Sequence, residues 1–305
     1  MRLVFAGTPA PAVPTLERLV AGRHEVVGVV TRPPAPLGRK RVLTPSPVAQ
    51  AAERLGVPII EAARLDAVAT TAIAALEPDL GVIVAYGGLV HEPLLSLPGQ
   101  GWINLHFSLL PAWRGAAPVQ RALMAGDAVT GASVFQLVAE LDAGDVFATA
   151  QRAVGAGETA GELLEALAVS GAELTAGVVD AIASGTAIAT PQAGDPTFAP
   201  KLTIDDARLD WGQPTASVDA RFRGVTPEPG AFTEVGGARV KVLEARPFDD
   251  LTRPGAGVVR AQGRRIVVGT ADGGIELLRV QPAGRTAMGA ADWWRGLGVD
   301  EAVAR

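Results

Sequence analysis

The sequence predicts a two-domain α/β chain, a parallel sheet layered with helices followed by a small β-barrel. Three observations carry this expectation. Short apolar runs alternate with helix-like segments through the first half, which implies parallel strands with helices on both faces. Over 185–206 the texture turns rich in Pro, Gly and Thr with no sustained helical period, as in interdomain linkers. Beyond it, strand-like pieces recur at short spacing with Gly-rich turns, the pattern of a small barrel. The division expected is a first domain over 1–189, a linker over 190–206 and a second domain over 207–305. A chain of 305 residues is long enough for a core in each.

The elements follow in order. "RLVFAG" (2–7), "EVVGVVT" (25–31), "DLGVIVAYG" (79–87) and "GWINLHF" (101–107) read as buried strands. Helix-like stretches at 13–21, 46–56 and 66–76 lie between them. A further helix-like segment covers 115–125. "GASVFQLVAE" (131–140) and "DVFATAQRAV" (145–154) read as adjacent strands joined by "LDAGD", a hairpin at the sheet edge. A long helix is expected over 158–184. After a short helix near 214–223, barrel strands are expected at 230–235, 238–246, 255–262, 265–270 and 274–281.

Composition narrows the chemistry. The chain has no cysteine, which removes disulfides, thiolate nucleophiles and Cys-based zinc sites. Its three histidines, His24, His91 and His106, are too few for a His-rich metal centre, and no metal is expected. The apolar start is broken by Pro9, Pro11 and Pro14 and lacks a signal-peptide pattern. No apolar run is expected to reach the length of a membrane span, so a cytoplasmic protein, monomeric and without a membrane partner, is the expectation. Net charge is −5, which argues against a protein coated in nucleic acid. Residues 1–190 carry −5 and residues 206–305 carry +1. The run Arg246, Arg253, Arg260, Arg264 and Arg265 reads first as solvated surface, with a modest basic face as the alternative.

Three stretches bear on function. "FAGTPAPAV" lacks G-x-G-x-x-G, no P-loop occurs, and the second strand ends in Thr31-Arg32 without a ribose-binding acid; a dinucleotide site is rejected. "TRPPAPLGRKRVLTPSP" (31–47) is a Pro-rich loop carrying Arg32, Arg39, Lys40 and Arg41. It reads as a solvated surface loop, or else as a basic arm for phosphates. In "NLHFSLLPAWRGAAP" (104–118), Asn104 and His106 stand two apart on a strand and share one side of it. They sit at the strand's carboxyl end, where open parallel sheets place their sites. An amide beside an imidazole suits a carbonyl oxygen that becomes an oxyanion. The competing reading is a buried pair bonded to backbone, and the residues alone balance the two. Asp142 of "LDAGD" is either a turn residue or the carboxylate that orients His106 and favours its charged form. Ser108 as a nucleophile ranks below these, because no G-x-S-x-G elbow is present.

"NLHFSLLPAWRGAAP" followed by "LDAGDV" resembles the N-x-H-x-S-L-L-P pattern, with its downstream Asp, of the folate-dependent formyltransferases. The likeness extends over "VFAGTP", the basic loop, "VIVAYGG" (82–88), "FAPKLTIDDARLDW" (198–211) and "VQPAGRTAM" (280–288). It implies a Rossmann-like formyltransferase domain and an OB-like barrel that guides a tRNA. Asn104, His106 and Asp142 would then be the catalytic residues. Ser108, Leu109, Leu110 and Pro111 would line the folate pocket, with Val84, Ala85, Tyr86 and Gly87 holding the pterin. Arg39, Lys40 and Arg41 would contact tRNA. The donor implied is 10-formyltetrahydrofolate, and "WRGAAPVQRAL" with the last signature implies initiator methionyl-tRNA as acceptor, for translation initiation. An amino group on a sugar nucleotide is the alternative acceptor. A noncatalytic RNA-binding protein is the reading from another class; it gives no reason for Asn104 and His106 together. Position 107 is Phe where many relatives have Gly or Pro, and Phe107 is expected to turn away from its neighbours.

Overall fold

From the N-terminus the chain forms β1 (Arg2–Gly7), α1 (Val13–Val20), β2 (Glu25–Thr31), β3 (Ala35–Leu37), β4 (Val42–Thr44), α2 (Pro47–Leu55), β5 (Ile59–Glu61) and α3 (Ala67–Ala74). There follow β6 (Leu80–Val84), β7 (Trp102–His106), β8 (Arg114–Gly115), α4 (Pro118–Ala125), β9 (Val129–Gln136), β10 (Val146–Ala153), α5 (Ala160–Ala183) and β11 (Phe198–Ala199). The computed structural model describes residues 1–38, 40–249 and 253–305. It divides into two units. One holds Met1–Pro118, Thr130–Arg152 and Leu164–Ala199; the other holds Val119–Val129, Ala153–Leu163 and Pro200–Arg305.

The first unit is built on a seven-stranded sheet in the order β10-β9-β7-β6-β1-β2-β5. β5, β2, β1, β6 and β7 run parallel, and β9 lies antiparallel to β7. Every residue of β6 is buried, as strands covered on both faces require. The strand order reverses at β1, which pairs with both β2 and β6, so a crevice is expected beside the carboxyl ends of β1 and β6. β9 and β10 are neighbours, tied by Gln136 N–H to the Asp145 carbonyl at 2.8 Å; this is the expected edge hairpin.

Helix ends follow local chemistry. Ser46 Oγ accepts the Ala49 N–H at 3.0 Å, Pro47 opens α2, and Gly56 closes it at φ 70°. Asp66 Oδ1 accepts the N–H groups of Val68 and Ala69 at 3.0 and 3.1 Å and starts α3. Asp66→Ala is expected to cost about 1 kcal/mol, read as a lower urea midpoint; an unchanged midpoint would show that the cap contributes nothing. Ahead of α5, Glu162 Oε2 takes the Thr159 N–H at 2.9 Å, one half of a capping box.

One expectation is corrected here. The 24-residue α5 has a window of mean hydropathy 1.5 and is long and apolar enough, by length and composition, to cross a membrane. A buried side, 44% of that window, accounts for the composition as a core helix would. Between β2 and α2 the described residues of the loop at 31–47 are largely exposed and free of helix, as expected, and carry a short ribbon. Ala35–Leu37 pairs antiparallel with Val42–Thr44, forming a ribbon that leaves Leu37, Val42 and Leu43 exposed.

The second unit is a nearly closed antiparallel barrel. Its strands are β12 (Phe232–Val235), β13 (Ala238–Phe248), β14 (Val258–Gln262), β15 (Arg265–Gly269), β16 (Gly274–Pro282), β17 (Met288–Gly289) and β18 (Glu301–Val303), with α6 (Thr215–Gly224) and α7 (Ala290–Leu297). The order is β12-β13-β16-β15-β14-β18, with β17 on β16. Glu234 and Arg305 then exchange both backbone hydrogen bonds at 2.9 Å, so the last residues meet β12 and few edge groups stay unpaired. Trp211, Phe222, Phe232, Trp293 and Trp294 pack its core. The sequence reading lacks α7, β17 and β18; the two strands, of two and three residues, are too short to show a period, whereas the eight-residue α7 is amphipathic and was missed.

Candidate functional site

A cleft of about 570 Å³ opens at the carboxyl ends of β6 and β7, within the size range of small-molecule sites. Ala85, Tyr86 and Gly87 line one side after β6, and Asn104 and His106 line the floor at the end of β7. Leu137, Val138, Glu140, Leu141 and Asp142 form the far wall. Period-two alternation puts Asn104 and His106 on the same side of β7, and the fold brings Asp142, from the β9–β10 loop, to them.

His106 is buried. Its Nε2 lies 2.8 Å from the Trp113 carbonyl; a carbonyl only accepts, so Nε2 carries the proton. Nδ1 then faces Asp142 Oδ2 at 3.8 Å. Burial lowers the His106 pKa below its usual 6.5, against the opposing pull of the Asp142 charge and the Trp113 hydrogen bond. Asp142 favours the charged form, as expected of a nearby carboxylate, but desolvation of the imidazolium outweighs it, and the ring is neutral at neutral pH. Asp142 is itself buried and accepts the Gly115 N–H on Oδ2 at 2.7 Å. Gly115 stands at φ 125°, and a Cβ there would lie 2.7 Å from the Ala199 carbonyl oxygen, so only glycine offers this donor. The half-buried Asn104 amide has no protein hydrogen-bond partner among the described residues.

Backbone strain gathers at this cleft. Among the described residues, Ala85, Trp113 and Asp142 are three of the five non-glycine positions with positive φ, at 47°, 60° and 46°. Each costs about 1–3 kcal/mol and persists only where its surroundings hold it.

The remaining expected site residues are placed as follows. Val84 is buried in β6, and Ser108, Leu109, Leu110 and Pro111 are not among the lining residues. Ser108 is fully buried and donates its hydroxyl to the Ala112 carbonyl at 2.5 Å. Tyr86 reaches the cleft at its backbone end, while its hydroxyl donates to the Ala62 carbonyl at 2.7 Å inside the core. Phe107 is buried and is among the residues around the cleft. Lys40 and Arg41 are exposed beside the ribbon turn, and Arg39 lies outside the described residues. Among the described residues no group of three His, Asp or Glu side chains is placed to hold a metal ion. The reading from sequence missed the Trp113 carbonyl and the Gly115 N–H, since backbone groups leave no mark in residue types.

The depressed pKa of His106 has a consequence for stability. The unfolded chain protonates this ring near 6.5 and the folded chain only at lower pH. Its neutral burial therefore stabilises fully above 6.5, and that stability is lost as pH falls through the window below. Urea midpoints are expected to drop between pH 7 and pH 5, with a shallower drop in His106→Gln. Equal slopes in the two proteins would contradict this origin.

An unsatisfied amide, a neutral imidazole and a carboxylate around an apolar crevice suit transfer of a group through a carbonyl carbon, with the negative charge met by preset donors. Comparison with known proteins identifies the class: the chain belongs to the formyl transferase family. That family matches residues 1–179, and the formyl transferase C-terminal domain matches residues 201–298. Among its relatives is the methionyl-tRNA formyltransferase of Clavibacter sepedonicus, 60% identical over 305 residues and covering all of both chains. The methionyl-tRNA formyltransferase of Leifsonia xyli subsp. xyli is 62% identical over 298 residues and covers 98% of each. The fold is also that of HypX from Aquifex aeolicus in complex with tetrahydrofolic acid, at TM-score 0.62 and 19% identity. That match covers 98% of this chain, which spans about half of HypX (47%). The sugar 3N-formyl transferase WlaRD shares the fold at TM-score 0.67 and 12% identity, over 94% of this chain and 99% of its own.

Proposed function

We propose that this chain transfers the formyl group of 10-formyltetrahydrofolate to the amino group of methionine on initiator tRNA, for translation initiation. The observation that carries this reading is identity of 60% from end to end with a protein named for that reaction. The cleft supports the folate half: its apolar walls and size suit a flat ring system. Ala85, Tyr86 and Gly87 line the cleft, although the Gly87 carbonyl already accepts from Arg32 Nη2 at 2.5 Å and the Tyr86 carbonyl from Thr8 Oγ1 at 3.4 Å.

The chemistry follows from the site. The neutral methionyl amine attacks the formyl carbon, and the carbonyl oxygen becomes an oxyanion. The Asn104 amide, without a protein partner among the described residues, donates to that oxygen. His106, kept neutral by burial, takes up a proton shed by the amine. As an imidazolium it is held by the Asp142 carboxylate, and the proton passes to the folate nitrogen as the carbon–nitrogen bond breaks. Lys40 and Arg41, with Arg39, contact the tRNA, and the barrel guides it. The enzyme acts in the cytoplasm as a monomer.

The test is formyl transfer to initiator methionyl-tRNA and to an amino sugar nucleotide, measured side by side with the same donor. Turnover with the tRNA and none with the sugar is expected. The reverse would overturn the acceptor, and transfer to neither would overturn the reaction.

A further inference from the structure

We propose that Gln192, held by Arg114, is a positioning residue for Asp142, and that the strap 190–199 is thereby part of the reaction site. This rests on the catalytic reading of Asp142 given above.

The strap reads in the sequence as the start of a linker, yet it lies in the first unit. One end pairs with the start of β10, where Val146 and Thr190 exchange both backbone hydrogen bonds at 2.8 and 3.0 Å. The other end pairs with the loop after β7. β11 lies parallel to β8, Arg114 N–H donates to the Thr197 carbonyl at 2.8 Å, and Trp113 N–H donates to Thr197 Oγ1 at 2.9 Å. The strap thus bridges the two loops that supply the partners of His106: the Trp113 carbonyl from one and Asp142 from the other.

Gln192 sits between these anchors. Its Nε2 donates to the carbonyl oxygens of Asp142 and Gly144 at 2.8 and 2.9 Å. Its Oε1 accepts from Arg114 Nε and Nη2 at 3.1 and 2.7 Å. Arg114 is buried, and its Nη1 reaches Glu140 at 3.4 Å. The two guanidinium donors define which end of the Gln192 amide is oxygen, and so aim both amide hydrogens at the Asp142 loop. That loop needs such a hold. Asp142 is in the left-handed region at φ 46°, a conformation a non-glycine residue keeps only under restraint. Without the Gln192 donors the backbone is free to relax, and the carboxylate leaves its place near the His106 ring. A misplacement of about 1 Å in such a group costs on the order of a hundredfold in rate.

The experiment compares Gln192→Met, which keeps the volume and removes the donors, with Gln192→Glu, which keeps the acceptor for Arg114 but offers Asp142 no donor. Asp142→Asn and the double variant complete the set. Each is assayed for kcat and KM with initiator methionyl-tRNA and the formyl donor, and His106 is titrated by NMR. Both Gln192 variants are expected to lose about ten- to a hundredfold in kcat with KM for the donor little changed. In Gln192→Met, which adds no charge, the His106 titration should move to lower pH, as it does in Asp142→Asn, and adding Gln192→Met to Asp142→Asn should cost little more. A kcat loss with the His106 titration in place would overturn positioning and leave a structural role. Wild-type kcat in both Gln192 variants would also overturn it, provided Asp142→Asn is impaired. If Asp142→Asn itself has wild-type kcat, the catalytic reading falls and takes this inference with it.

Discussion

Asn104→Ala is expected to lower kcat for formyl transfer by about a hundredfold or more while the protein stays folded. Loss of one oxyanion donor typically costs about 3 kcal/mol. The Asn104 amide is half-buried at the end of β7 and has no protein partner among the described residues, so its removal leaves no orphaned group in the fold. His106→Ala is expected to lose at least as much, since both proton uptake and the charge beside the oxyanion go with it. Asp142→Ala removes the carboxylate 3.8 Å from Nδ1 and also the acceptor of the Gly115 N–H, so it is expected to be similar or worse. The measurement is kcat at saturating donor and tRNA, beside a urea curve for each variant. Asn104→Ala or His106→Ala turning over near the wild-type rate would sink the proposed chemistry. The double variant Asn104→Ala/His106→Ala should lose less than the two single losses combined, because groups that act on one transition state are not additive.

The second large effect is on stability. Trp102 is fully buried on β7, and its Nε1–H donates to the Leu94 carbonyl at 2.8 Å. It lies opposite Gly81 of β6 in the sheet register. A Cβ on Gly81 would come within 2.1 Å of the indole, so the glycine is the space into which the ring packs. Trp102→Ala is expected to cost about 3–5 kcal/mol, a large share of the roughly 5–15 kcal/mol that holds a domain folded. Gly81→Ala is expected to destabilise by about 1–3 kcal/mol through overpacking. The two are coupled: in a Trp102→Leu background the Gly81→Ala cost should shrink, since the clashing ring is gone. Urea unfolding of the four proteins measures this cycle, and strictly additive losses would show that the two residues do not share that space.

Much of the frame was legible because its cues are local. β1, β2, β6 and β7 announce themselves as apolar runs, and Ser46-Pro47 with Gly56 brackets a helix in the order that helix ends demand. Several elements were illegible for a physical reason. β8, β11 and β17 are two residues each, and β5 and β18 three, so no period develops and only their pairing partners define them.

The site divides along the same line. The sequence by itself determined that Asn104 and His106 share one side of a strand end, because a period of two residues is a property of the strand alone. It also determined the donor-and-imidazole chemistry those residue types can offer, and the resemblance to a family of formyl carriers. Only the tertiary structure decided that Asp142 stands near that imidazole and that the Trp113 carbonyl selects the protonated nitrogen. It alone decided that burial leaves the ring neutral, and that Gln192, from a stretch that reads as linker, braces the loop carrying Asp142. Most of these depend on chain segments distant in sequence meeting beyond the carboxyl end of β7. Their energies come from desolvation and from hydrogen bonds to backbone groups, which every residue carries alike and no residue name records.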